Sequence, residues 1–343
     1  MPTMADIAKR AGVALSTVSH TLSGKRPVSA EVRQRVMQAI AELEYQPHAL
    51  ARALATKRTR TIALLYPTLS NSRPEPHFEF VTSILEVANQ RKYGLLLWTA
   101  PDNDQEILQM TQQGFIDGLV LMEIRLEDPR VMMLRERNYP FTMIGHGKEN
   151  GDINFVDLDF DYALHKCVEY LAELGHKHIA FINHSPRLFE IGTGYAIRSE
   201  EAFQHAITQW RLEGTTYPCE PNAQAGYEAV GALLTQDPTL TAIITSNAWV
   251  SGGITRAIYD RGLKIPEDMS LVGVLSPRIA EMNTPPITAI DFPYHEMGRM
   301  GAEMLIRQLE GEEVATQLLL KPSLTIRQSS GPCTKYNISL AQQ

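Results

Sequence analysis

The chain has 343 residues, 44% of them hydrophobic, and a formal net charge of −7 at pH 7. This length and composition predict two or three globular domains with large cores. Three scattered cysteines without Cys-x-x-Cys spacing argue against a disulfide framework and against a zinc site. No stretch approaches the roughly 20 apolar residues that span a bilayer, and no apolar signal region begins the chain, so we expect a soluble cytoplasmic protein without a membrane partner.

Charge is distributed unevenly along the chain. Residues 1–60 carry ten Lys or Arg against four Asp or Glu, a net charge of +6, which leaves −13 for residues 61–343. A small basic head on a large acidic body is typical of a protein that binds nucleic acid. The alternative is a solvated helical bundle, since charged runs usually lie in water.

Residues 3–22 predict a helix-turn-helix. Their apolar residues form two short helical stripes that are broken at Gly12, where two helices can turn sharply. The second helix, at about residues 15–22, buries Val18 and Leu22. Its outer face carries small or polar side chains, namely Ser16, Thr17, Ser19 and His20. A helix with this outer face fits the major groove of DNA.

Two further segments complete the head. A third helix is predicted at about residues 32–43, with Ser29 as its cap and an apolar stripe on one face. Pro47 ends it, and residues 48–55 predict a short alanine-rich helix. Eight residues are too few for a stable isolated helix, so we expect this segment to order only against another surface.

From residue 61 onward, short apolar strands alternate with amphipathic helices. The predicted strands are 61–66, 94–98, 117–122, 140–145, 178–182, 241–245, 270–274, 317–320 and 323–327. The predicted helices are 78–91, 104–114, 161–174, 195–210, 223–235, 250–261 and 294–310. This alternation requires parallel sheets covered on both faces, and two series indicate two doubly wound lobes with a cleft at the strand carboxyl ends. The predicted fold class is an all-α helix-turn-helix head followed by an α/β core.

Short motifs along nearly the whole chain resemble those of the LacI/GalR family of bacterial transcriptional regulators. They lie at residues 6–13, 17–20, 28–33, 43–47, 51–54, 174–176, 262–273 and 285–288. The resemblance implies a homodimeric repressor that binds double-stranded DNA at a pseudo-palindromic operator. It also implies a core of periplasmic-binding-protein type. A small-molecule effector, expected to be a carbohydrate, binds between the two lobes of such a core and controls operator affinity.

The patterns and the resemblance together divide the chain into four segments. The boundaries are 1–46 for the helix-turn-helix domain, 47–60 for the hinge helix and linker, 61–330 for the two-lobed core and 331–343 for a flexible tail. Within the core, the lobes are predicted at about 61–160 plus 292–321 and about 161–291 plus 322–330. The tail lacks the leucine heptads of a coiled coil, so we expect a dimer and not a tetramer.

The resemblance assigns DNA contacts to the head and the hinge. Base contacts fall on Leu15, Ser16, His20 and Arg26, and phosphate contacts fall on Thr17 and Ser19. The hinge residues assigned to the minor groove are Ala51, Arg52 and Leu54. In this assignment Leu54 wedges open a central base step; the alternative is an ordinary core residue of the hinge helix.

Effector contacts are assigned to both lobes by the same resemblance. They fall on His77, Phe78, Tyr195, Arg198, Asn247, Trp249, Leu275 and Ser276. Trp249 offers a flat face that either stacks on a sugar ring or packs in the core. Leu275 stands where the family carries an aspartate that accepts hydrogen bonds from sugar hydroxyls, which argues against a standard monosaccharide.

The sequence gives little support for a metal site or for enzymatic catalysis. His176, His178 and His184 suggest a metal site only weakly, because their spacing without a nearby acid or cysteine favours structural histidines. No Gly-x-Ser-x-Gly elbow, P-loop or Gly-x-Gly-x-x-Gly cradle is present, so we expect no enzyme, cofactor or metal. The alternative function is a cytoplasmic solute-binding or sugar-processing protein with a vestigial DNA-binding head. The missing signal peptide and the intact hinge motif oppose it.

Overall fold

The computed structural model describes residues 2–23, 26–44, 58–65, 78–99, 104–313 and 316–334. Its N-terminal part is a bundle of the helices α1 (Met4–Ala11), α2 (Leu15–Ser23) and α3 (Ala30–Glu42). These helices confirm the three predicted for the head. The predicted hinge residues Ala51, Arg52 and Leu54 lie outside the described residues.

Local sequence explains where α1 begins and ends. The Thr3 hydroxyl accepts a hydrogen bond from the Asp6 amide, and the Asp6 carboxylate accepts one from the Thr3 amide, which forms a capping box. Hydrogen bonds from Thr3 also lower the pKa of Asp6. Gly12 ends the helix in the left-handed conformation, with φ of 64°, and this turn lets α2 start shortly afterwards.

The helices of the head share a small apolar core. Its buried residues are Ile7, Ala8, Ala11, Val18, Val36 and Ala39. Ser29 caps α3, because its side chain accepts a hydrogen bond from the Val32 amide. A core of this size gives each of its side chains a large share in the stability of the head.

Two six-stranded sheets follow within the described residues. The first sheet contains β1 (Thr61–Leu65), β2 (Gly94–Trp98), β3 (Gly118–Leu121), β4 (Phe141–Ile144), β5 (Phe155–Leu158) and β11 (Gln317–Leu320). Its strands pair in parallel in the order β11-β5-β4-β3-β1-β2.

The second sheet is formed mostly by later segments of the chain. It contains β6 (His178–Asn183), β7 (Glu213–Pro218), β8 (Ala242–Thr245), β9 (Ser270–Leu275), β10 (Thr288–Asp291) and β12 (Leu324–Thr325). The order is β12-β10-β9-β8-β6-β7, and only β12 among the described strands pairs antiparallel. We call the first sheet with its helices the first lobe, and the second sheet with its helices the second lobe.

Helices cover both faces of each sheet. Their bounds are α4 (Phe78–Gln90), α5 (Asp104–Gln112), α6 (Pro129–Glu136), α7 (Phe160–Glu173), α8 (Pro186–Glu190), α9 (Gly194–Trp210), α10 (Ala223–Gln236), α11 (Ser251–Asp260), α12 (Pro277–Met282) and α13 (Tyr294–Glu310). Buried apolar clusters join α4 and α13 to one face of the first sheet, and α5 and α6 to the other. In the second lobe, α7 and α9 cover one face while α10 and α11 cover the other. The predicted doubly wound arrangement of each lobe is therefore confirmed.

The chain passes between the lobes after β5, after β10 and after β11 in its described part. Because of these crossings, α13 and β11 complete the first lobe although they follow most of the second lobe in sequence. No helix in the described ranges combines the length and the apolar character that crossing a membrane requires.

The sequence patterns missed strands β5, β7 and β10. In β5, Asp157 interrupts a run of only four residues, so the apolar signal is short. In β7, a half-exposed edge strand, glycine and threonine replace the apolar residues that mark a buried strand. Backbone hydrogen bonds to a neighbouring strand stabilise such strands. The pattern of hydrophobic residues in the sequence does not reveal these bonds.

The predicted flexible tail is wrong for residues 331–334. The Cys333 amide donates a hydrogen bond to the Leu174 carbonyl oxygen at 2.8 Å, and the Cys333 side chain is buried. Gly331 likewise bonds to Ser270 through its amide. These contacts use backbone groups of a segment without apolar periodicity, so the sequence pattern does not reveal them. Residues 335–343 lie outside the described residues.

Candidate DNA-binding head and inter-lobe cleft

The first turn of α2 exposes two of the four side chains that the sequence assigns to DNA bases. Leu15 and Ser16 are exposed, while Val18 on the other face is fully buried. Thr17, Ser19 and His20 are half-buried, and Arg26 is exposed beyond the end of the helix. The helix therefore presents N-terminal side chains outward, an arrangement that suits contact with base edges in a major groove.

Basic side chains lie on the neighbouring helices as well. Lys9 is exposed in the last turn of α1, and Arg33 and Arg35 are exposed on α3. Arg10 is exposed too, but its Nε donates to Glu42 Oε2 at 2.6 Å, which offsets part of its charge. Exposed cations of this kind attract a phosphate backbone without reading its sequence.

A cavity of about 450 Å³ lies between the two lobes, and we call it the inter-lobe cleft. Its lining includes Glu123 after β3, His184 after β6 and Ser246 after β8, at the carboxyl ends of strands from both sheets. Phe292 lines it where the chain crosses between the lobes after β10. Doubly wound sheets bind their ligands in this position.

Four of the predicted effector residues line the cleft. Tyr195 and Arg198 lie in the first two turns of α9, while Asn247 and Trp249 follow β8. Trp249 is half-buried, so part of its ring stays accessible from the cleft. The structure thus brings together four second-lobe residues that are up to 54 positions apart in sequence.

Leu275 and Ser276 do not line the cleft, which corrects two of the predicted effector contacts. Leu275 is fully buried in the apolar cluster under α10 and α11. Ser276 is also buried and caps α12, since its Oγ accepts a hydrogen bond from the Ile279 amide. Val274 lines the cleft instead, because successive residues of a strand point to opposite faces of the sheet.

The first-lobe aromatic residue that lines the cleft lies two residues after the predicted contact Phe78. Phe78 begins α4 with 57% of its surface exposed and is not part of the lining. Phe80 is only 4% exposed, lines the cleft and packs edge-on against Tyr294 at a centroid distance of 5.1 Å. Because the helix turns between residues 78 and 80, the two rings lie on different faces of α4, and the Phe80 ring faces the cleft. His77 lies outside the described residues.

Aromatic rings form much of the cleft wall. Phe292 stacks on Tyr294 with centroids 4.1 Å apart, and Tyr195 meets His184 edge-on at 4.8 Å. Burial raises the pKa of Tyr195 and of Tyr294 well above the ordinary tyrosine value, so both phenols stay neutral. Together with Trp249, these rings offer flat apolar faces from both lobes.

Asn247 and the terminal nitrogens of Arg198, which were predicted to bind the effector, already have protein partners, whereas the buried Arg198 Nε has none. The Asn247 amide oxygen accepts from the Trp249 amide, and its nitrogen donates to the Cys219 carbonyl oxygen, both at 3.2 Å. Arg198 donates to Asp157 Oδ2 at 2.8 Å and to the His146 carbonyl oxygen at 2.9 Å. Asp157 and His146 are residues that the sequence reasoning missed.

Two of the three histidines considered for a metal site, His176 and His178, have separate partners. His176 Nδ1 lies 2.9 Å from Thr241 Oγ1, and its Nε2 lies 3.1 Å from the Gly331 carbonyl oxygen. His178 Nδ1 lies 3.0 Å from Asp237 Oδ2. Burial lowers the pKa of His176, which favours its neutral form. These contacts give both histidines structural roles.

Comparisons with known proteins match both parts of the chain. Residues 3–48 match the family of bacterial regulatory proteins, lacI family, and residues 168–330 match the periplasmic binding protein-like domain. The HTH-type transcriptional repressor PurR of Erwinia tasmaniensis is 32% identical over 98% of this chain and 99% of that protein. Catabolite control protein A of Priestia megaterium is 28% identical over 96% of this chain and 99% of that protein.

Solved structures show the same fold. A lac repressor dimer bound to operator and the anti-inducer ONPF superposes with a TM-score of 0.80 at 23% identity, covering 96% of this chain and 99% of that one. A transcriptional regulator CelR–cellobiose complex gives a TM-score of 0.69 at 25% identity, covering 96% and 100%. With the full-length match to PurR, these findings place the chain in the LacI family of DNA-binding transcriptional repressors.

Proposed function

We propose that this repressor binds a pseudo-palindromic operator as a homodimer, and that a sugar or sugar derivative in the inter-lobe cleft controls its operator affinity. The observation that carries the proposal is the position of the cleft, at the carboxyl ends of both sheets and across the junction of the lobes. A ligand in this position contacts both lobes and can favour one lobe arrangement over another.

The head supports specific roles at the DNA. Ser16 can hydrogen-bond to a base edge or a phosphate, and exposed Leu15 can contact a thymine methyl group. His20 and Arg26 are the further candidates for base contact, and Thr17 and Ser19 for phosphate contact. The minor-groove roles of Ala51, Arg52 and Leu54 remain part of the proposal, with Leu54 as the wedge at the central step.

Exposed leucines support dimerisation through the first lobe. β2 is an edge strand, and its Leu96 and Leu97 are 36% and 47% exposed. Leu85, on the adjoining helix α4, is 41% exposed. An apolar edge of this kind is a pairing surface, and a two-fold operator requires a second copy of the chain to cover it.

Leu97→Glu is therefore expected to convert the dimer to a monomer, because it places a charge in the apolar interface. Sedimentation equilibrium measures the change in mass. Leu319→Glu is the matched control, since Leu319 is 46% exposed on β11 at the opposite edge of the same sheet. A Leu97→Glu protein that stays dimeric, or a Leu319→Glu protein that dissociates equally, contradicts this interface.

We expect a screen of sugars, glycosides and sugar phosphates against the full chain to identify a ligand. This ligand should raise the thermal midpoint of unfolding and change the affinity of the protein for its operator. At 100 times its Kd, a ligand stabilises the folded state by about 2.7 kcal/mol.

The same ligand is expected to change the tryptophan emission, and Trp249→Phe should remove most of that change because Trp249 lines the cleft. Trp210→Phe, outside the lining, should retain it. A ligand that shifts operator affinity with the Trp249 signal unchanged contradicts binding in the cleft.

The alternative of a solute-binding or sugar-processing protein with a vestigial head is less well supported. Two relatives that match 98% and 96% of the chain are named as a repressor and a control protein. In addition, the head keeps its capping box and its buried core. A chain that binds no DNA fragment but responds to a sugar would favour the alternative.

A further inference from the structure

Arg198 joins the two lobes directly. It lies on α9 of the second lobe, and its Nη2 donates to Oδ2 of Asp157 on β5 of the first lobe at 2.8 Å. Its Nη1 donates to the carbonyl oxygen of His146, which follows β4 in the first lobe, at 2.9 Å. One side chain thus holds two separate first-lobe segments.

Both oxygens of the carboxylate that receives Arg198 have protein partners. Asp157 Oδ1 accepts from the Leu158 amide at 2.8 Å, and Oδ2 lies 2.8 Å from His146 Nδ1 as well as from Arg198. The Asp157 side chain is 4% exposed and that of Arg198 is 18% exposed. Because water is largely excluded, removal of one partner leaves the other charge buried without compensation.

A second junction lies beside the first. The Gly194 amide donates to the Ile124 carbonyl oxygen, and the Leu126 amide donates to the Gly192 carbonyl oxygen, both at 2.8 Å. These bonds pair the segment after β3 in the first lobe with residues 192–194 at the start of α9 in the second, as a short antiparallel bridge at Arg125 and Thr193.

Gly194 couples the two junctions. A Cβ atom at this position would lie 2.8 Å from both terminal nitrogens of the Arg198 guanidinium. The guanidinium therefore rests directly over the backbone whose amide makes the neighbouring inter-lobe bond. If Arg198 moves away from Asp157, the hydrogen bond from the Gly194 amide to the Ile124 carbonyl oxygen loses the side chain that covers it.

We propose that the Arg198–Asp157 ion pair and the adjacent backbone bridge form an inter-lobe clamp, which closes the cleft through protein contacts and makes Arg198 a specificity-determining residue. Asp157 and the His146 carbonyl oxygen occupy the two terminal nitrogens of Arg198, and its buried Nε has no protein partner. An anionic ligand has to displace Asp157 to bind those terminal nitrogens, so this contact favours neutral ligands over anionic ones. The ligand preference rests on the proposed function, whereas closure by the clamp is a property of the protein alone.

Hydrogen exchange of the full chain, without DNA or added ligand, tests the closure. Asp157→Asn is expected to speed exchange of the Leu126 and Gly194 amides at least tenfold, while the amides of β3 and β8 keep their protection. Asp291→Asn is the matched control, because Asp291 pairs with Arg327 at 3.2 Å inside the second lobe. It should leave the Leu126 and Gly194 amides unchanged.

Two outcomes overturn the clamp. One is exchange at the Leu126 and Gly194 amides that is no faster in Asp157→Asn than in Asp291→Asn. The other is equal acceleration of these amides and of the β3 and β8 amides, which would show general destabilisation. If Asp157→Asn does not fold, Arg198→Lys serves in its place, since it keeps the charge but loses the double contact to Asp157 and His146.

Inorganic phosphate tests the ligand preference separately. Asp157→Asn leaves Arg198 without its carboxylate partner, so phosphate should raise the thermal midpoint of this variant more than that of the wild type or of Asp291→Asn. Equal shifts in all three proteins overturn the part of the proposal that concerns ligand charge. Neither the exchange experiment nor the phosphate experiment involves operator DNA. A negative result in either one therefore does not contradict the repressor function, and a failure to bind DNA does not contradict the inter-lobe clamp.

Discussion

Val18→Asn is expected to abolish DNA binding while the two-lobed core stays folded. Val18 has 0% exposure at the centre of the head, where α2 packs on α1 and α3. The substitution loses the transfer free energy of the valine side chain and buries an amide without a partner, together roughly 3 kcal/mol or more. A three-helix head with so small a core has little stability beyond that amount.

Electrophoretic shift with operator-containing DNA and the thermal transition of the core measure this result together. Met37→Asn is the matched control, since Met37 lies 53% exposed on α3 of the same head. It should bind DNA within a few-fold of the wild type. A Val18→Asn protein that binds as tightly as Met37→Asn would show that the buried face of α2 does not hold the head together.

Gly253→Ala is expected to destabilise the second lobe strongly. A Cβ atom on Gly253 would lie 1.8 Å from the Ala223 carbonyl oxygen, which is backbone and cannot rotate away. The methyl group therefore forces α10 and α11 apart, at a cost of about 3 kcal/mol. For a core of this size we expect the thermal midpoint to fall by roughly 6–12 °C.

The neighbouring glycine provides the control for this prediction. A Cβ atom on Gly252 meets nothing within 4 Å, so Gly252→Ala should leave the core unchanged or stabilise it by up to about 1 kcal/mol. Differential scanning calorimetry of both variants measures the contrast. Equal midpoints for the two variants would contradict the close helix contact at Gly253.

The head and the alternation of strands and helices could be predicted because each element carries its own local signal. The α1 and α2 helices show apolar stripes, and the turn between them requires a residue such as Gly12 that accepts positive φ. Buried parallel strands appear as short apolar runs. Strands β5 and β7 do not, because Asp157 interrupts one and the other is a polar edge.

The cleft was only partly predictable because its lining depends on one-residue differences in register. Leu275 and Val274 are adjacent and both apolar, yet the pleat of β9 turns only Val274 toward the cleft. Phe78 and Phe80 differ by less than a helical turn, and the packing of α4 selects the second.

Asp157 could not be predicted as a cleft residue for a different reason. A charged residue within a strand gives no sign of its partner, because Arg198 is 41 positions away and belongs to the other lobe. The available signal was its place at the carboxyl end of a strand, where doubly wound folds collect their functional side chains. That signal depends on recognising β5, which the apolar pattern did not reveal.

DNase footprinting of the full chain on genomic fragments selected by binding would show whether the protein is a dimeric, ligand-controlled repressor. We expect one protected pseudo-palindrome with two half-sites related by two-fold symmetry, whose protection weakens steeply with salt and changes when the cleft ligand is added. Failure to protect any selected fragment, or protection of a single asymmetric half-site that no cleft ligand affects, would contradict the claim of a dimeric, ligand-controlled repressor.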